Sequence, residues 1–440
     1  MPADAETIKT NKFSRWSLWL YNGLLYLLLP FILLHFWRQG RRNKAYRARI
    51  QERFGKQPIA SKHQGAVIFH CVSVGEFLAA KPLISAFLES ANGTPVVVTC
   101  MTPTASELIQ TTFGEQVYHC YLPLDTSAAM RRFIHGLQPK ALVILETELW
   151  PNLMYQCQRA KVPTLLVNGR MSERSAAGYK RLDWLFAQTW GSLRYCGIQT
   201  ESQASRFVAI GVEKDRVHTV GNLKFDLQIP DAQREQIQSY QNLLADRLII
   251  TAGSTHAGEE ATILQAFKKV QQSYPNALLI LVPRHQERFD EVADLLQEHE
   301  FSFVRRRTGQ PILADTQVWL ADTMGELMLW YGLARIAFVG GSLITRGGHN
   351  PLEPLVFGVP IVSGRHVFNF QDIYNELDRL QAVRWVQDSD SLASTLIGLM
   401  ATPETARRLS QEAQQLFADH QGATRRYLAT IHQVCEGRHG

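Results

Sequence analysis

The chain has 440 residues, 45% of them hydrophobic and 20% charged, enough for about two or three domains with cores of their own. That balance excludes a disordered or low-complexity protein. A net charge of +6 and a pI near 9.0 suit an anionic partner, with nucleic acid, anionic lipid and phosphorylated substrate all open. The six cysteines (Cys71, Cys100, Cys120, Cys157, Cys196, Cys435) are scattered without a CxxC pair, and the 14 histidines form no HExxH. Reduced core cysteines in a cytosolic setting are expected, and no zinc site.

The first predicted element is a membrane anchor. Residues 18–36 hold no Asp, Glu, Lys or Arg, and Arg38, Arg41, Arg42, Lys44, Arg47 and Arg49 follow directly. Such a run is long enough to cross a bilayer or lie deep in it, and the positive-inside rule places the rest of the chain on the cytoplasmic side. A basic cluster stands where a signal peptide would have its cleavage site, which argues against removal. Asn22, Gly23 and Pro30 weaken a plain spanning helix and keep a partly interfacial anchor as the alternative. Residues 1–50 form this anchor and its basic tail.

From there apolar β-type runs alternate with helical patterns. Runs at 66–72, 95–100, 117–121, 141–145, 164–167 and 195–199 make a first parallel α/β domain, 51–228. Residues 229–246 are rich in Gln and read as a linker followed by a polar helix. The alternation restarts at 247–252 and continues through 277–282, 301–304, 317–320, 336–339, 359–362 and 383–386, giving a second domain, 247–440. Its last helices have no strand left to serve and are free to pack back across the linker. The fold class is therefore α/β, two doubly wound Rossmann-like domains facing across a cleft, with ligands outside the carboxyl ends of the strands.

Chemistry-bearing residues gather at those strand ends. Ser73 and Glu76 have capping-box spacing, while a carboxylate at the end of the first strand can also take a proton from a hydroxyl nucleophile; the pattern admits both. Glu146 and Glu148 leave the run at 141–145, and at most one is expected to be functional. Lys224 sits among apolar neighbours near the domain junction. In the second domain Gly253-Ser254-Thr255-His256 is expected to follow a strand and open a helix. Pro283-Arg284 ends the next strand, where an arginine suits a phosphate or carboxylate. Thr323-Met324-Gly325-Glu326 reads as a capping box, its glycine letting a flat ligand approach. The strand at 336–339 ends in Gly340-Gly341-Ser342, where bare backbone can approach a ligand. Asn350, Pro351, Leu352 and Glu353 then read as an N-cap, a first-turn proline and a third-position glutamate, a helix start fit for an anion. Asp388-Ser389-Asp390 has metal-binding DxD spacing, yet reads as a turn with an N-cap.

Taken together, SVGE at 73–76, MTPT at 101–104, ETELWPN at 146–152, GNLKFD at 221–226, STHAGEE, VPRHQERF, DTMGEL, FVGGSL and GGHNPLEP make the chain resemble the 3-deoxy-D-manno-octulosonic acid (Kdo) transferases over nearly its whole length. The resemblance implies a GT-B fold and an inverting enzyme of the cell inner membrane, its catalytic domains cytoplasmic. Kdo would pass from CMP-Kdo to a lipid A precursor, with no cofactor, no divalent metal, no nucleic acid and no obligate protein partner. It makes Glu76 the general base, Glu146 and Lys224 transition-state stabilisers, and Pro283, Arg284, Met324, Gly325, Glu326, Asn350, Pro351, Leu352 and Glu353 the CMP contacts. The basic residues at 38–49 are expected to hold the acceptor's phosphates. A GT-B transferase with another donor, such as a UDP-sugar, and a non-catalytic membrane-bound nucleotide or lipid sensor are the alternatives.

Overall fold

The computed structural model describes residues 15–42, 44–227, 229, 231–244 and 246–437. The chain forms two compact units. One runs to Asp226 and regains the chain at His420; the other is Leu227–Asp419.

The first unit holds β1 (Val67–His70), β2 (Val96–Cys100), β3 (Tyr118–Tyr121), β4 (Ala141–Leu145), β5 (Thr164–Gly169), β6 (Tyr195–Ile198) and β7 (Val217–Thr219) in one parallel sheet, ordered β3-β2-β1-β4-β5-β6-β7. Every residue of β1, β2, β4 and β5 is buried, because helices cover both faces and side chains alternate between two apolar cores. Ile68, Val97 and Ile144 pack with Phe133 and Leu137 on one face; Phe69, Val98 and Val143 pack with Leu83 and Phe87 on the other. Strand β7 is absent from the expected runs, since its three residues, Val-His-Thr, lie on an edge and are half-buried or exposed. The apolar helix Arg15–Arg42 belongs to this unit and is a candidate membrane anchor.

The second unit holds β8 (Leu248–Thr255), β9 (Ala277–Pro283), β10 (Phe303–Arg305), β11 (Val318–Leu320), β12 (Ile336–Val339), β13 (Ile361–Ser363) and β14 (Val383–Trp385), parallel and ordered β10-β11-β9-β8-β12-β13-β14. Its sheet also divides two cores, Ile250, Leu279 and Phe338 with Phe267, and Ile249, Leu278 and Trp319 with Trp330. The Gln-rich stretch forms the helix Asp231–Leu243, held to this unit by Ile237 in the second core. Two of its glutamines also donate to backbone carbonyls, Gln233 to Gly325 (3.2 Å) and Gln241 to Gly332 (3.1 Å).

The C-terminal helix Ala423–Cys435 packs on the first unit. Tyr427, with no exposed surface, enters that unit's core and its hydroxyl accepts from the Asn168 N–H (3.0 Å). The Asp226 carboxylate accepts from the N–H groups of Gly422 and Thr424, so one acidic side chain both ends the first pass through this unit and caps the returning helix. Among the described residues the cysteines are free, five of them buried. The DxD stretch is a capping box between Asp388 and Ser391, with Asp390 paired to Lys269.

Candidate active site

In each sheet the strand order reverses beside the first strand, between β1 and β4 and between β8 and β12, and such a reversal opens a crevice at the carboxyl ends. Glu76 and Glu146 flank the first reversal. The chain leaves β1 through Ser73 into the helix Val74–Ser90, and the Ser73 hydroxyl accepts from the Glu76 N–H (3.4 Å) and donates to Glu76 Oε1 (3.1 Å). Glu76 Oε2 accepts from the Val72 N–H (2.7 Å). The capping geometry expected of Ser73 and Glu76 is therefore formed. Glu76 is 8% exposed; burial, opposed by the Val72 bond and reinforced by Glu146 and Glu148, pushes its carboxyl up to about 7. A carboxyl poised there changes hands with a proton near neutral pH.

Glu146 follows β4 with a left-handed backbone, φ 59°, an arrangement that costs an L-residue about 1–2 kcal/mol and is held by its N–H bond to Val167 (2.9 Å). Its Oε2 accepts from Arg170 Nε (2.9 Å). Strain of this sort persists where the surrounding structure needs the side chain in one place. Glu148 is raised by burial and by Glu146, and both glutamates add to the burial that raises Glu76.

Lys224 lies on the turn Leu223–Phe225, which packs on the Glu76 helix. Leu223 and Phe225 are 1% and 2% exposed, and the Asn222 side chain accepts from the Lys224 N–H (3.0 Å). The turn is fastened by Asn168, fully buried at the end of β5 with φ 58°, whose Oδ1 accepts from the Leu223 N–H (3.0 Å). Asn168, Arg170 and the bracing Tyr427 were not among the sequence candidates; the one signal was an asparagine closing an otherwise apolar run, a poor strand residue.

The second unit departs from expectation in four places. Strand β8 runs on through Gly253 to Thr255, bent at Ser254 (φ 56°), and the helix begins only at Glu259, after Gly258. The N–H groups of Gly341, Ser342 and Leu343 do not wait for a ligand. Buried Glu259 accepts all three, at 2.7, 3.0 and 3.0 Å, and the His256 N–H at 3.1 Å. The Thr323–Glu326 capping box does not form: Glu326 is itself the N-cap residue without a side-chain cap, because its carboxylate pairs with Arg306 at 2.9 and 3.2 Å. Finally, Asn350 Oδ1 does accept from the Leu352 N–H (3.1 Å), but the helix is the single turn Leu352–Leu355, with Pro351 at the cap. So few aligned peptides carry little of a helix dipole.

What gathers there instead is imidazole and guanidinium. His256 and His349 meet Nε2 to Nε2 at 2.8 Å with rings 6° apart, and His285 lies edge-on to His256 with centroids 5.2 Å apart. Burial first, then His285, Arg346, Arg284 and Arg288, push His256 down to about 4, and burial first, then His256, Arg284 and His285, push His349 down to about 4. Their charged forms are thereby suppressed. Arg284 is exposed at the end of β9, its N–H held by the Thr255 carbonyl (2.9 Å), and it lowers the Glu353 carboxyl, which burial pushes up to about 7. Pro283 is buried in the β8–β9 register. Met324 (54% exposed) and open Gly325 follow β11, the neighbour of β9. The imidazole cluster escaped sequence reading because its three histidines are spread over 93 positions.

Residues 48–227 match the sequence model of a family described as 3-deoxy-D-manno-octulosonic-acid transferase (kdotransferase). Across 94% of its length the chain is 40% identical to a 3-deoxy-D-manno-octulosonic acid transferase of Haemophilus influenzae, covering 98% of that protein. The chain belongs to the Kdo transferase family. This Kdo transferase is thus a glycosyltransferase, and the sensor alternative falls. It is also similar to a solved domain described as the C-terminal CMP-Kdo binding domain of WaaA from Acinetobacter baumannii, 42% identical over 42% of this chain and 97% of that one, TM-score 0.41. A UDP-GlcNAc 2-epimerase from Neisseria meningitidis, 13% identical, superposes with TM-score 0.54 over 84% of this chain and 100% of its own; at that identity the likeness bears on the GT-B-like fold alone.

Proposed function

We propose that this Kdo transferase moves Kdo, with inversion, from CMP-Kdo to a lipid A precursor at the cytoplasmic face of the inner membrane. The observation that carries this is Glu76, a carboxyl held near 7 at the strand-order reversal of a chain that is 40% identical to a Kdo transferase. The acceptor hydroxyl gives its proton to Glu76 as its oxygen bonds to the anomeric carbon of Kdo; the bond from that carbon to the CMP phosphate oxygen breaks, and CMP leaves with the electron pair. Glu146, fixed by its backbone and by Arg170, stabilises positive charge developing at the anomeric carbon, and Lys224 offsets negative charge on the reacting oxygens.

In the second unit Arg284 takes the phosphate, beside imidazoles whose protonation from solvent a bound anion would favour. Met324 and Gly325 offer an apolar, open surface to the base, with Glu326 holding that turn through Arg306. Asn350 and Glu353 offer hydrogen bonds to ribose hydroxyls, positioned by Pro351 and Leu352. The proposed counter-charges are side chains, so no divalent metal is required. Exposed Arg38, Arg41 and Lys44 are left to meet acceptor phosphates. Arg49 is not, because it is committed to Glu52 (2.6 Å), Ser106 (2.9 Å) and the His119 carbonyl (3.0 Å).

Incubation with CMP-Kdo or UDP-sugars and a lipid A precursor, read by mass spectrometry, tests donor and acceptor together. Glu76→Ala should lower turnover by about a hundredfold or more while CMP binding persists. Product from a UDP-sugar alone, or full turnover in the variant, would defeat the proposal.

A further inference from the structure

Helix Arg15–Arg42 is long and apolar enough to cross a membrane, but the way it is covered points elsewhere. We propose that it is a monotopic anchor, lying in the plane of one leaflet with one side docked on its own unit and the other side in lipid. This rests on the membrane location proposed above and specifies its geometry.

Three observations carry it. Covered positions recur with the helical repeat along nearly the full length: Leu18, Asn22, Leu25, Leu29, Phe36 and Gly40 are buried or half-buried. On other faces Trp19, Leu20, Leu27 and Phe31 are 77%, 61%, 68% and 68% exposed. A helix standing off its domain would show no such stripe. Second, both ends of the apolar segment touch the same unit. At one end Leu18 joins the core with Leu153 and Met154, and Asn22 and Asn152 exchange amide hydrogen bonds at 3.2 and 3.0 Å. Tyr21 bonds to the buried Asp125 carboxylate, which also accepts from the N–H groups of Asn152 and Leu153 (2.9 and 2.8 Å). At the other end Phe36 lies 5.2 Å from the guanidinium of Arg53. Arg53 is 2% exposed and donates to the Met101 carbonyl at 2.7 Å.

Third, the distances exclude a crossing. Leu18 to Phe36 spans about 27 Å at about 1.5 Å per residue, close to the whole hydrocarbon thickness of about 30 Å. A perpendicular span would meet a domain on one side at one end only. Here a crossing would also carry the Asn22–Asn152 pair and Asp125 into hydrocarbon, an expensive place for polar groups. The outward face is built for one leaflet: apolar side chains between exposed tryptophans, Trp16 (86%) and Trp37 (46%), with Arg41 over the Trp37 ring at 4.1 Å and Arg38 and Lys44 exposed beside it. That sequence of groups fits acyl chains flanked by anionic headgroups.

The test uses full-length protein in inverted inner-membrane vesicles, with Cys435→Ser removing the one native thiol that is not buried. A single reporter is then added at Lys12→Cys or Arg41→Cys, before and after the apolar run. A membrane-impermeant maleimide should label both reporters to similar extents before detergent. Labelling of Lys12→Cys only after detergent would mean that the helix crosses, overturning the proposal while leaving the membrane location intact. Release of the protein by a high-salt wash would overturn both.

Discussion

Glu76 combines two demands that pull on one carboxyl. As a helix cap it must stay where Val72 and Ser73 hold it, and as the proposed base it must be ionised in a site that disfavours charge. The rate should therefore fall as pH drops through about 7, roughly tenfold per unit once the proton is on. Stability runs the other way. The folded carboxyl binds its proton more tightly than the unfolded one, so its contribution is fully present below the unfolded value of 4.5 and is lost as pH rises through about 7. Glu76→Gln cannot ionise; its melting temperature should gain on the wild type between pH 5 and pH 8.5, as scanning calorimetry at several pH values would register. A flat difference would mean that Glu76 is not raised. Glu259 has the opposite character, a carboxylate used wholly for structure. Glu259→Ala strips the acceptor from three N–H groups after β12 and one after β8, and at about 1–3 kcal/mol per unsatisfied buried group the urea midpoint should drop sharply.

Among the elements, the short ones decide the site. The turn Leu223–Phe225 presents Lys224 only because Leu223 and Phe225 are sunk on either side, Asn168 holds it from β5, and Asp226 ties it to the start of the helix Ala423–Cys435. Asp226→Ala should cost about 1–2 kcal/mol through the lost cap. It should also speed hydrogen exchange in the C-terminal helix and lower kcat more than it changes KM, because Lys224 loses its footing without a donor contact being removed. Unchanged exchange in that helix would show that the cap is idle. The long buried strands could be read from composition, since Ala-Leu-Val-Ile-Leu at 141–145 has no other stable place. Strand β7, at a sheet edge, carries no such signal. The one-turn helix Leu352–Leu355 had every local sign of a longer one, but local capping residues start a helix and say nothing about how far packing lets it run.

At the scale of the molecule, each of the two seven-stranded sheets gathers polar side chains at its carboxyl edge, Glu76 and Glu146 on the first unit, Arg284 with His256, His285 and His349 on the second. If the side chains of the second unit supply all the counter-charge for CMP, a chelator should leave turnover unchanged in the mass-spectrometric assay, and a loss restored by added divalent cation would show that the phosphate needs metal. Apolar runs and their spacing were enough to settle the α/β class, the two parallel sheets and the strand ends at which Glu76, Glu146 and Arg284 emerge, because burial on both faces leaves a continuous hydrophobic trace. Which of those polar groups are already spoken for was not legible. Glu259 fills a backbone cradle 82 positions away, His256 finds His349 across 93, and Asn22 finds Asn152 across 130. Such pairings depend on three-dimensional proximity created by strand order, and a periodicity read along the chain holds no record of distance between its parts.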